Sequence, residues 1–278
     1  MPFAQIEAVR FHYKVMGVMQ HQPPIIFIAG YVCDIEFWRP VAEHVAQHTQ
    51  VLIFDNQGIG QTVDDDSPLS IESMSQHTKG LVDVLVEQGE FASGPYGVVG
   101  FAMGGVIAQH WAAHFPEYTH QLVLLNSVLR FNREAQYQAE QMYLARVEGD
   151  FIRYAEIVYH VIFDQRFHAQ HAEATFVPQF AQAVEPIQTV DGQRRQLDVL
   201  KTCDARAFAS NIQVPAVLIQ SRPRDVFSLP EEGDALATAL ESGGASVTCH
   251  EIISGHDVVR ENLPDLLVIW DRVLYRTC

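Results

Sequence analysis

Residues 94–115 read GPYGVVGFAMGGVIAQHWAAHF, and at their centre stand Gly100, Phe101, Ala102, Met103 and Gly104. The apolar run before this centre predicts a buried strand, and the residues after it predict a helix. A strand that passes into a helix between two glycines makes a sharp turn, which presents its central side chain at the end of the sheet. A non-glycine residue is strained there by roughly 1–3 kcal/mol, so the turn makes physical sense only if a working side chain belongs at position 102. Ala102 supplies only a methyl group.

Strands and helices alternate along the rest of the chain. Five apolar runs predict buried parallel strands: Ile25–Ala29, Val51–Phe54, Gly97–Val99, Leu122–Leu125 and Ala216–Ile219. The more alternating run Ser246–Ile253 predicts an edge-side strand, and Ile6–Val15 an antiparallel hairpin. Helical patterns cover Ile71–Gln88, Gly105–His114, Glu232–Ser242 and Leu263–Tyr275. This alternation predicts an α/β fold with a mostly parallel, doubly wound sheet.

Residues 129–208 interrupt the alternation with amphipathic helical patterns that are rich in Phe and Tyr. We expect this stretch, called the lid segment below, to be a helical insertion that covers the carboxyl edge of the sheet. The predicted domains are therefore a core formed by residues 1–128 and 209–278, with residues 129–208 inserted as the lid.

Composition excludes several classes of protein. A net charge of −16 argues against nucleic-acid binding. No apolar run reaches the roughly 18 residues that a membrane span needs, and the first residues show no secretory signal. The cysteines match no zinc spacing or disulfide framework and are interpreted as reduced thiols of a cytoplasmic protein: Cys33, Cys203, Cys249 and Cys278. His110 and His114 are four residues apart on a predicted helix, but a surface or core role is favoured over a metal site.

Two polar loops complete the pattern around position 102. Asp225 follows the strand Ala216–Ile219 in the loop Gln220–Asp225, and His256 lies in Ser254–Asp257 between the last predicted strand and the last helix. A carboxylate can orient an imidazole and stabilise its cation, and the imidazole can then act as a general base. A turn-forming Asp and a solvated loop His are the alternative interpretations.

With the turn at position 102, these loops resemble the α/β-hydrolase family over nearly all of the chain. The resemblance implies a nucleophile at position 102, Asp225 as the acid and His256 as the base, in the order typical of that fold. It also implies that the N–H groups of Tyr31 and Met103 form an oxyanion hole. The family's second acid position is occupied by Asn126, which carries no charge. No cofactor or metal is required.

Two further loops depart from the family pattern. Ala29-Gly30 replaces the usual His-Gly before the oxyanion loop, and Gln57 takes the usual Arg position in the glycine turn Asp55–Thr62, whose role we expect to be structural. Cys33 lies on the oxyanion loop, not on the turn at position 102, and lacks the positioning that a replacement nucleophile requires.

Three hypotheses account for Ala102. We favour an engineered Ser→Ala change that removes the nucleophile and leaves Asp225 and His256 intact, so that the active form is a serine hydrolase of carboxylic esters. The second is a natural, non-hydrolytic binding protein, which an alanine codon in the source gene would support. The third is a cofactor-free oxygenase or lyase that uses His256 as its base.

The lid segment also indicates the kind of substrate. The aromatic lid segment suggests an apolar acyl chain or ring, with Phe101, Phe131, Tyr143 and Phe163 as candidate binding residues. Among family members, esterases of pimeloyl-carrier-protein methyl esters in biotin synthesis dock an acidic carrier on a basic lid patch, for which Arg153 and Arg166 are the candidates. Enol-lactonases and thioesterases are the alternatives.

Overall fold

A computed structural model describes residues 2–20, 22–184, 189–223 and 225–274. Within them the strands are β1 (Phe3–Ile6), β2 (Val9–Met16), β3 (Ile25–Ile28), β4 (Val51–Phe54), β5 (Tyr96–Phe101), β6 (Thr119–Leu125), β7 (Ala216–Arg222) and β8 (Val247–Ile253). They form one sheet in the order β1-β2-β4-β3-β5-β6-β7-β8. β1 and β2 pair antiparallel, as do β2 and β4, and the remaining pairs are parallel. The predicted α/β class and mostly parallel sheet are confirmed.

The helices are α1 (Ile35–Val45), α2 (Ile71–Glu87), α3 (Met103–His114), α4 (Arg133–Val147), α5 (Phe151–Ile162), α6 (Gln165–Gln170), α7 (Glu173–Val184), α8 (Val190–Thr202), α9 (Pro230–Ser242), α10 (Val258–Glu261) and α11 (Leu263–Leu274). α3 begins two residues before the predicted Gly105 because Ala102 occupies the N-cap position. Tyr275, the predicted end of the last helix, and Cys278 lie outside the described residues. In the described part of the chain, no helix is both long enough and apolar enough to cross a membrane.

The central strands are apolar at almost every position because helices cover both faces of the sheet. All residues of β3, β4 and β5 are buried. β8 is at the edge of the sheet, as predicted, and six of its seven residues are half-buried or exposed.

Helices α4 to α8 connect β6 to β7. The middle of this stretch has a hydrophobic cluster of its own, whose buried members run from Met142 to Ala181. Its two ends pack instead into the main core through Ala135 and Ala139 on α4, and Leu197 and Leu200 on α8. The lid boundaries at 129 and 208 remain a prediction.

The glycine turn after β4 is organised by the buried carboxylate of Asp55. It forms a 2.7 Å contact with His12 Nδ1 and accepts hydrogen bonds from the backbone N–H groups of Ile35 and Gln61. A Cβ at Gly60 would lie 2.1 Å from this carboxylate, so only glycine fits there. The turn thereby ties β2 and β4 to the first residue of α1.

Candidate active site

The turn at position 102 has the strained geometry that the glycine pattern predicts. Ala102 lies between β5 and α3 with φ 49° and ψ −116°. A Cβ at Gly100 would lie 2.4 Å from the Gly104 carbonyl oxygen, and one at Gly104 would lie 2.3 Å from the Ile28 carbonyl oxygen. The Ser127 hydroxyl donates a 3.0 Å hydrogen bond to the Ala102 carbonyl and so holds the turn against the segment that follows β6.

Asp225 and His256, which are 31 residues apart in sequence, form a buried pair. The distance from His256 Nδ1 to Asp225 Oδ2 is 2.7 Å, and the two side chains are 6% and 0% exposed. The other carboxylate oxygen, Oδ1, accepts hydrogen bonds from the N–H groups of Phe227 (2.9 Å) and Ser228 (3.3 Å). A carboxylate fixed in this way fixes the imidazole in turn, and it selects the tautomer that carries its proton on Nδ1. That tautomer leaves Nε2 able to accept a proton.

Two aromatic rings contact the His256 imidazole. Its ring centre lies 4.7 Å from that of Phe101 and 4.9 Å from that of Phe227. Phe101 directly precedes Ala102, so the residue that orients the imidazole is part of the same turn.

Asn126, the residue at the uncharged second acid position, is a positioning residue that the sequence analysis missed. Its Nδ2 donates 2.8 Å hydrogen bonds to the His256 carbonyl and the Ser221 hydroxyl, and its Oδ1 accepts one from Ser221 N. It therefore fastens the ends of β6 and β7 to the His256 loop. The sequence feature that could have indicated this role is the position of Asn126 directly after β6.

The oxyanion loop passes directly over the turn. A Cβ at Gly30 would lie 3.2 Å from Ala102 Cβ, so glycine permits this approach. Tyr31 and Met103 both line the pocket beside Ala102. Met103 is the first residue of α3, and the N–H groups of a helix's first turn have no acceptor within the helix. The N–H of Val32, the next residue of the loop, is used otherwise, since it donates to Gln196 Oε1 at 3.1 Å.

An apolar pocket opens beside Ala102 and His256 beneath the lid segment. Its walls include Phe101, Phe131, Met142, Tyr154, Val158 and Leu200. Two of the four candidate binding residues, Phe101 and Phe131, thus line it. Tyr143 and Phe163 are not among the described lining residues.

The reason that Tyr143 and Phe163 miss the pocket is the packing of the lid helices. Phe163 stacks on Phe167 at 4.0 Å between ring centres, inside the separate lid cluster. Tyr143 packs half-buried against the main core, while its neighbour Met142 faces the pocket. The composition of the lid segment does not show which side of each helix faces the sheet.

The charged lining residues were also missed by the sequence analysis. Asp34, Asp257 and Arg260 line the pocket, and Arg260 is ion-paired with Asp257. Burial, together with the nearby Asp55, raises the pKa of Asp34. The sequence feature that could have indicated Asp34 is its position next to the oxyanion loop, and for Asp257 it is its position next to His256.

The geometry gives little support to Cys33 as a replacement nucleophile or to His110 and His114 as metal ligands. Burial raises the pKa of the Cys33 thiol, which lines the pocket, so the thiol stays protonated. His110 and His114 stack at 3.9 Å between ring centres, and burial lowers the pKa of His110 to about 4. No cluster of three or more metal-ligating side chains occurs among the residues that the structure describes.

The two candidate docking arginines are each paired locally. Arg153 contacts Glu148 at 2.7 Å, and Arg166 contacts Asp164 at 3.5 Å. Their side chains are 40% and 55% exposed. Each therefore presents a partly neutralised charge at the surface.

Comparison with known proteins agrees with this architecture. The chain is 25% identical over 226 residues to a putative carbamate hydrolase, RutD, of Azorhizobium caulinodans, covering 80% of each chain. It is 25% identical over 130 residues to a pimeloyl-[acyl-carrier protein] methyl ester esterase of Vibrio vulnificus, covering 47% of this chain and 46% of the other. The crystal structure of an enol-lactonase from Burkholderia xenovorans superposes with a TM-score of 0.81 at 21% identity, covering 99% and 98% of the two chains, which shows the fold.

The named relatives include hydrolases and also a putative non-heme bromoperoxidase, BpoC, of Mycobacterium tuberculosis, which is 29% identical over 226 residues, covering 79% of this chain and 82% of the other. A family model describes most of the chain. The model for the serine aminopeptidase, S33, family matches residues 20–261, a range that includes the turn at Ala102, Asp225 and His256. The chain accordingly belongs to the serine aminopeptidase, S33, family of hydrolases and has the α/β-hydrolase fold.

Proposed function

We propose that this site hydrolyses carboxylic esters through an acyl-enzyme when residue 102 is serine, and that Ala102 marks the missing nucleophile. The observation that carries the proposal is a strained, non-glycine turn beside a complete His–Asp pair. A methyl group gains nothing from that strain, whereas a hydroxyl at the same position would gain exposure to substrate and a base.

The residues then take defined roles. The hydroxyl at position 102 would attack the ester carbonyl while His256 Nε2 takes its proton and passes it to the leaving alcohol. The N–H groups of Tyr31 and Met103 would hold the oxyanion, and water would release the acid. With Ala102 the chain binds the ester and cannot form the acyl-enzyme.

The substrate class follows from the pocket. Apart from the charged residues at one side, its walls are apolar or aromatic, which favours an uncharged acyl group. The pocket has a cavity volume of about 80 Å³. A short acyl ester, or a lactone or thioester of similar size, fits this volume better than a long chain.

Restoring the nucleophile tests the proposal. We expect Ala102→Ser to raise kcat/KM for short p-nitrophenyl esters by about a thousandfold or more, because loss of the nucleophile costs up to roughly 10⁶ in other serine enzymes. Ala102→Ser/His256→Gln is the matched control and should lose that gain. Turnover by Ala102→Ser no higher than that of the parent chain would overturn the proposal.

A narrower version of the proposal concerns an acyl chain presented on an acidic carrier protein, docked at Arg153 and Arg166. The partial similarity to the pimeloyl-carrier-protein esterase supports it, and the local pairing of both arginines weakens it. In an Ala102→Ser background, Arg153→Glu/Arg166→Glu should weaken carrier binding at least about tenfold and leave small-ester hydrolysis unchanged. Equal loss of both activities would count against docking at these residues.

A second candidate rests on the chain as it stands, which keeps a base without a nucleophile. Paired with Asp225, His256 could abstract a substrate proton in a cofactor-free oxygenase or lyase. Product analysis separates the candidates, because hydrolysis incorporates oxygen from water, whereas oxygenation consumes O₂. O₂ uptake by the parent chain that disappears in His256→Gln would favour the second candidate.

A further inference from the structure

Glu261, the last residue of α10, contacts the loop that carries His256. Its Oε2 accepts a 2.9 Å hydrogen bond from Gly255 N. The same carboxyl lies 3.3–3.4 Å from the N–H of Asp164, which follows α5 in the lid segment. Glu261 therefore bridges the core and the lid segment directly behind the imidazole.

A direct backbone contact also joins the His256 loop to the end of α5, and we call this meeting point the junction. His256 N donates a 2.6 Å hydrogen bond to the carbonyl of Ile162, the last residue of α5. A Cβ at Gly255 would lie 2.3 Å from that carbonyl oxygen and 2.9 Å from Glu261 Oε2. Glycine at position 255 is what allows the loop, the helix end and the carboxyl to meet.

The Glu261 and Asp164 carboxyls are close enough for each to shift the pKa of the other. Burial and the neighbouring Asp164 raise the pKa of Glu261 to about 8. Burial opposes the charge of Asp164 as well, but hydrogen bonds from Glu261, Phe167 N and Arg166 N lower its pKa overall. Near neutral pH the proton is therefore on Glu261, which can donate to Asp164 and accept from Gly255 at the same time.

We propose that Glu261 is a positioning residue that holds the loop Ser254–Asp257 against the end of α5 and so keeps His256 aligned with Asp225 and the pocket. The inference rests on the proposed role of His256 as the base. The position of the imidazole, however, can be measured without any turnover.

The other charged groups around the junction do not replace this contact. Arg166 pairs with Asp164 from the α6 side, and on α10 itself Arg260 pairs with Asp257. His256 Nδ1 already contacts Asp225 Oδ2. When Glu261 loses its proton it faces the Asp164 carboxylate, and the two negative charges repel.

The test compares the chain as it stands, with Ala102, which we call the parent, with two variants that are each substituted at Glu261. Glu261→Gln keeps an acceptor for Gly255 and a donor for Asp164 without a titrating proton, whereas Glu261→Leu removes both. Glu241→Gln, an exposed position on α9, is the matched control. Two signals are followed by NMR: the His256 Nδ1–H proton, assigned by its loss in His256→Gln, and hydrogen exchange at Gly255 N–H.

We expect Glu261→Leu to weaken the Nδ1–H signal and to speed exchange at Gly255 about tenfold, the effect of losing one buried hydrogen bond. As pH rises through about 8, the parent should show the same change beyond the intrinsic rise of amide exchange with pH, and Glu261→Gln should show only that intrinsic rise. Unchanged signals in Glu261→Leu would overturn the proposal. So would an equal loss in Glu261→Gln, which would assign the effect to packing.

Failure of Glu261→Leu to fold leaves the comparison of parent with Glu261→Gln decisive, because only the parent should lose its signals above about pH 8. Identical pH dependence of the two would overturn the proposal. Absence of ester hydrolysis in Ala102→Ser would overturn the proposed function but would not alter these signals.

Discussion

At the scale of single residues, Ala102 combines two properties that rarely occur together. Its φ of 49° and ψ of −116° lie in a region that glycine adopts more easily than alanine, and its neighbours leave no room for a different path. The chain therefore tolerates strain at a position whose side chain has no polar atom. This is the strongest residue-level sign that the turn is shaped for another side chain.

Ala102→Gly should stabilise the protein. The relieved strain of roughly 1–3 kcal/mol exceeds the 0.5–1 kcal/mol that glycine costs in conformational entropy, so a net gain of about 1 kcal/mol in the free energy of unfolding is expected. Urea denaturation measures it. Ala113→Gly, in the regular part of α3, should instead cost about 1 kcal/mol, and equal effects at both positions would contradict the strain.

At the scale of elements, α8 supports the oxyanion loop with two buried glutamines. Gln196 Nε2 donates to the Gln57 carbonyl at 2.8 Å while its Oε1 accepts from Val32 N. Gln193 Nε2 donates to the Tyr31 hydroxyl at 3.0 Å. This helix of the lid segment thus holds the loop that would bind the oxyanion, including Val32, whose φ of 56° is unusual for a β-branched residue.

Gln196→Leu should therefore destabilise the protein, because it leaves the Val32 N–H and the Gln57 carbonyl without partners. Each unsatisfied buried group costs about 1–3 kcal/mol, so a loss of about 2–5 kcal/mol is expected by urea denaturation. Arg194→Leu on the same helix is the control. Its side chain is 45% exposed and forms surface ion pairs, so its loss should stay below about 1 kcal/mol. Similar losses in both variants would argue against the glutamine contact.

At the scale of the whole molecule, the chain has two hydrophobic clusters, and a buried ion pair joins the lid segment to the core. One cluster fills the sheet and its flanking helices, and the other lies within the lid segment. Arg195 of α8 and Asp64 of the loop after β4 form a buried ion pair at 2.9 Å, with both side chains 4% exposed. Such a pair joins α8 of the lid segment to the loop after β4, since the Asp64 carboxylate without Arg195 would be buried without a compensating charge.

Arg195→Met should cost about 3–5 kcal/mol, because it leaves the Asp64 carboxylate buried beside an apolar side chain. Thermal denaturation measures the loss. Arg195→Met/Asp64→Leu should recover much of it, since removing both charges avoids the desolvation penalty. Arg206→Met, in an ion pair whose arginine is 59% exposed, should change little. No recovery in the double variant would show that the ion pair does not account for the loss.

Much of this molecule could be predicted from its sequence because the relevant signals are local. Apolar runs located the buried strands, and glycines flanking position 102 located the turn, since their steric effect acts within a few residues. Asp225 and His256 could be assigned because each directly follows a strand at the same edge of a parallel sheet. The resemblance of these loops to a known family then ordered them into one site.

Only the tertiary structure decided which lid residues face the pocket and what holds the loops in place. Phe131 and Met142 line the pocket while Tyr143 and Phe163 do not, because that choice depends on how each helix is rotated against the sheet. Asn126, Gln196 and Glu261 act through partners about 95 to 140 residues away or in a neighbouring loop, and no spacing predicts such contacts. The sequence by itself determined where the strained turn lies, and the packing of distant segments determined how the residues around that turn are held.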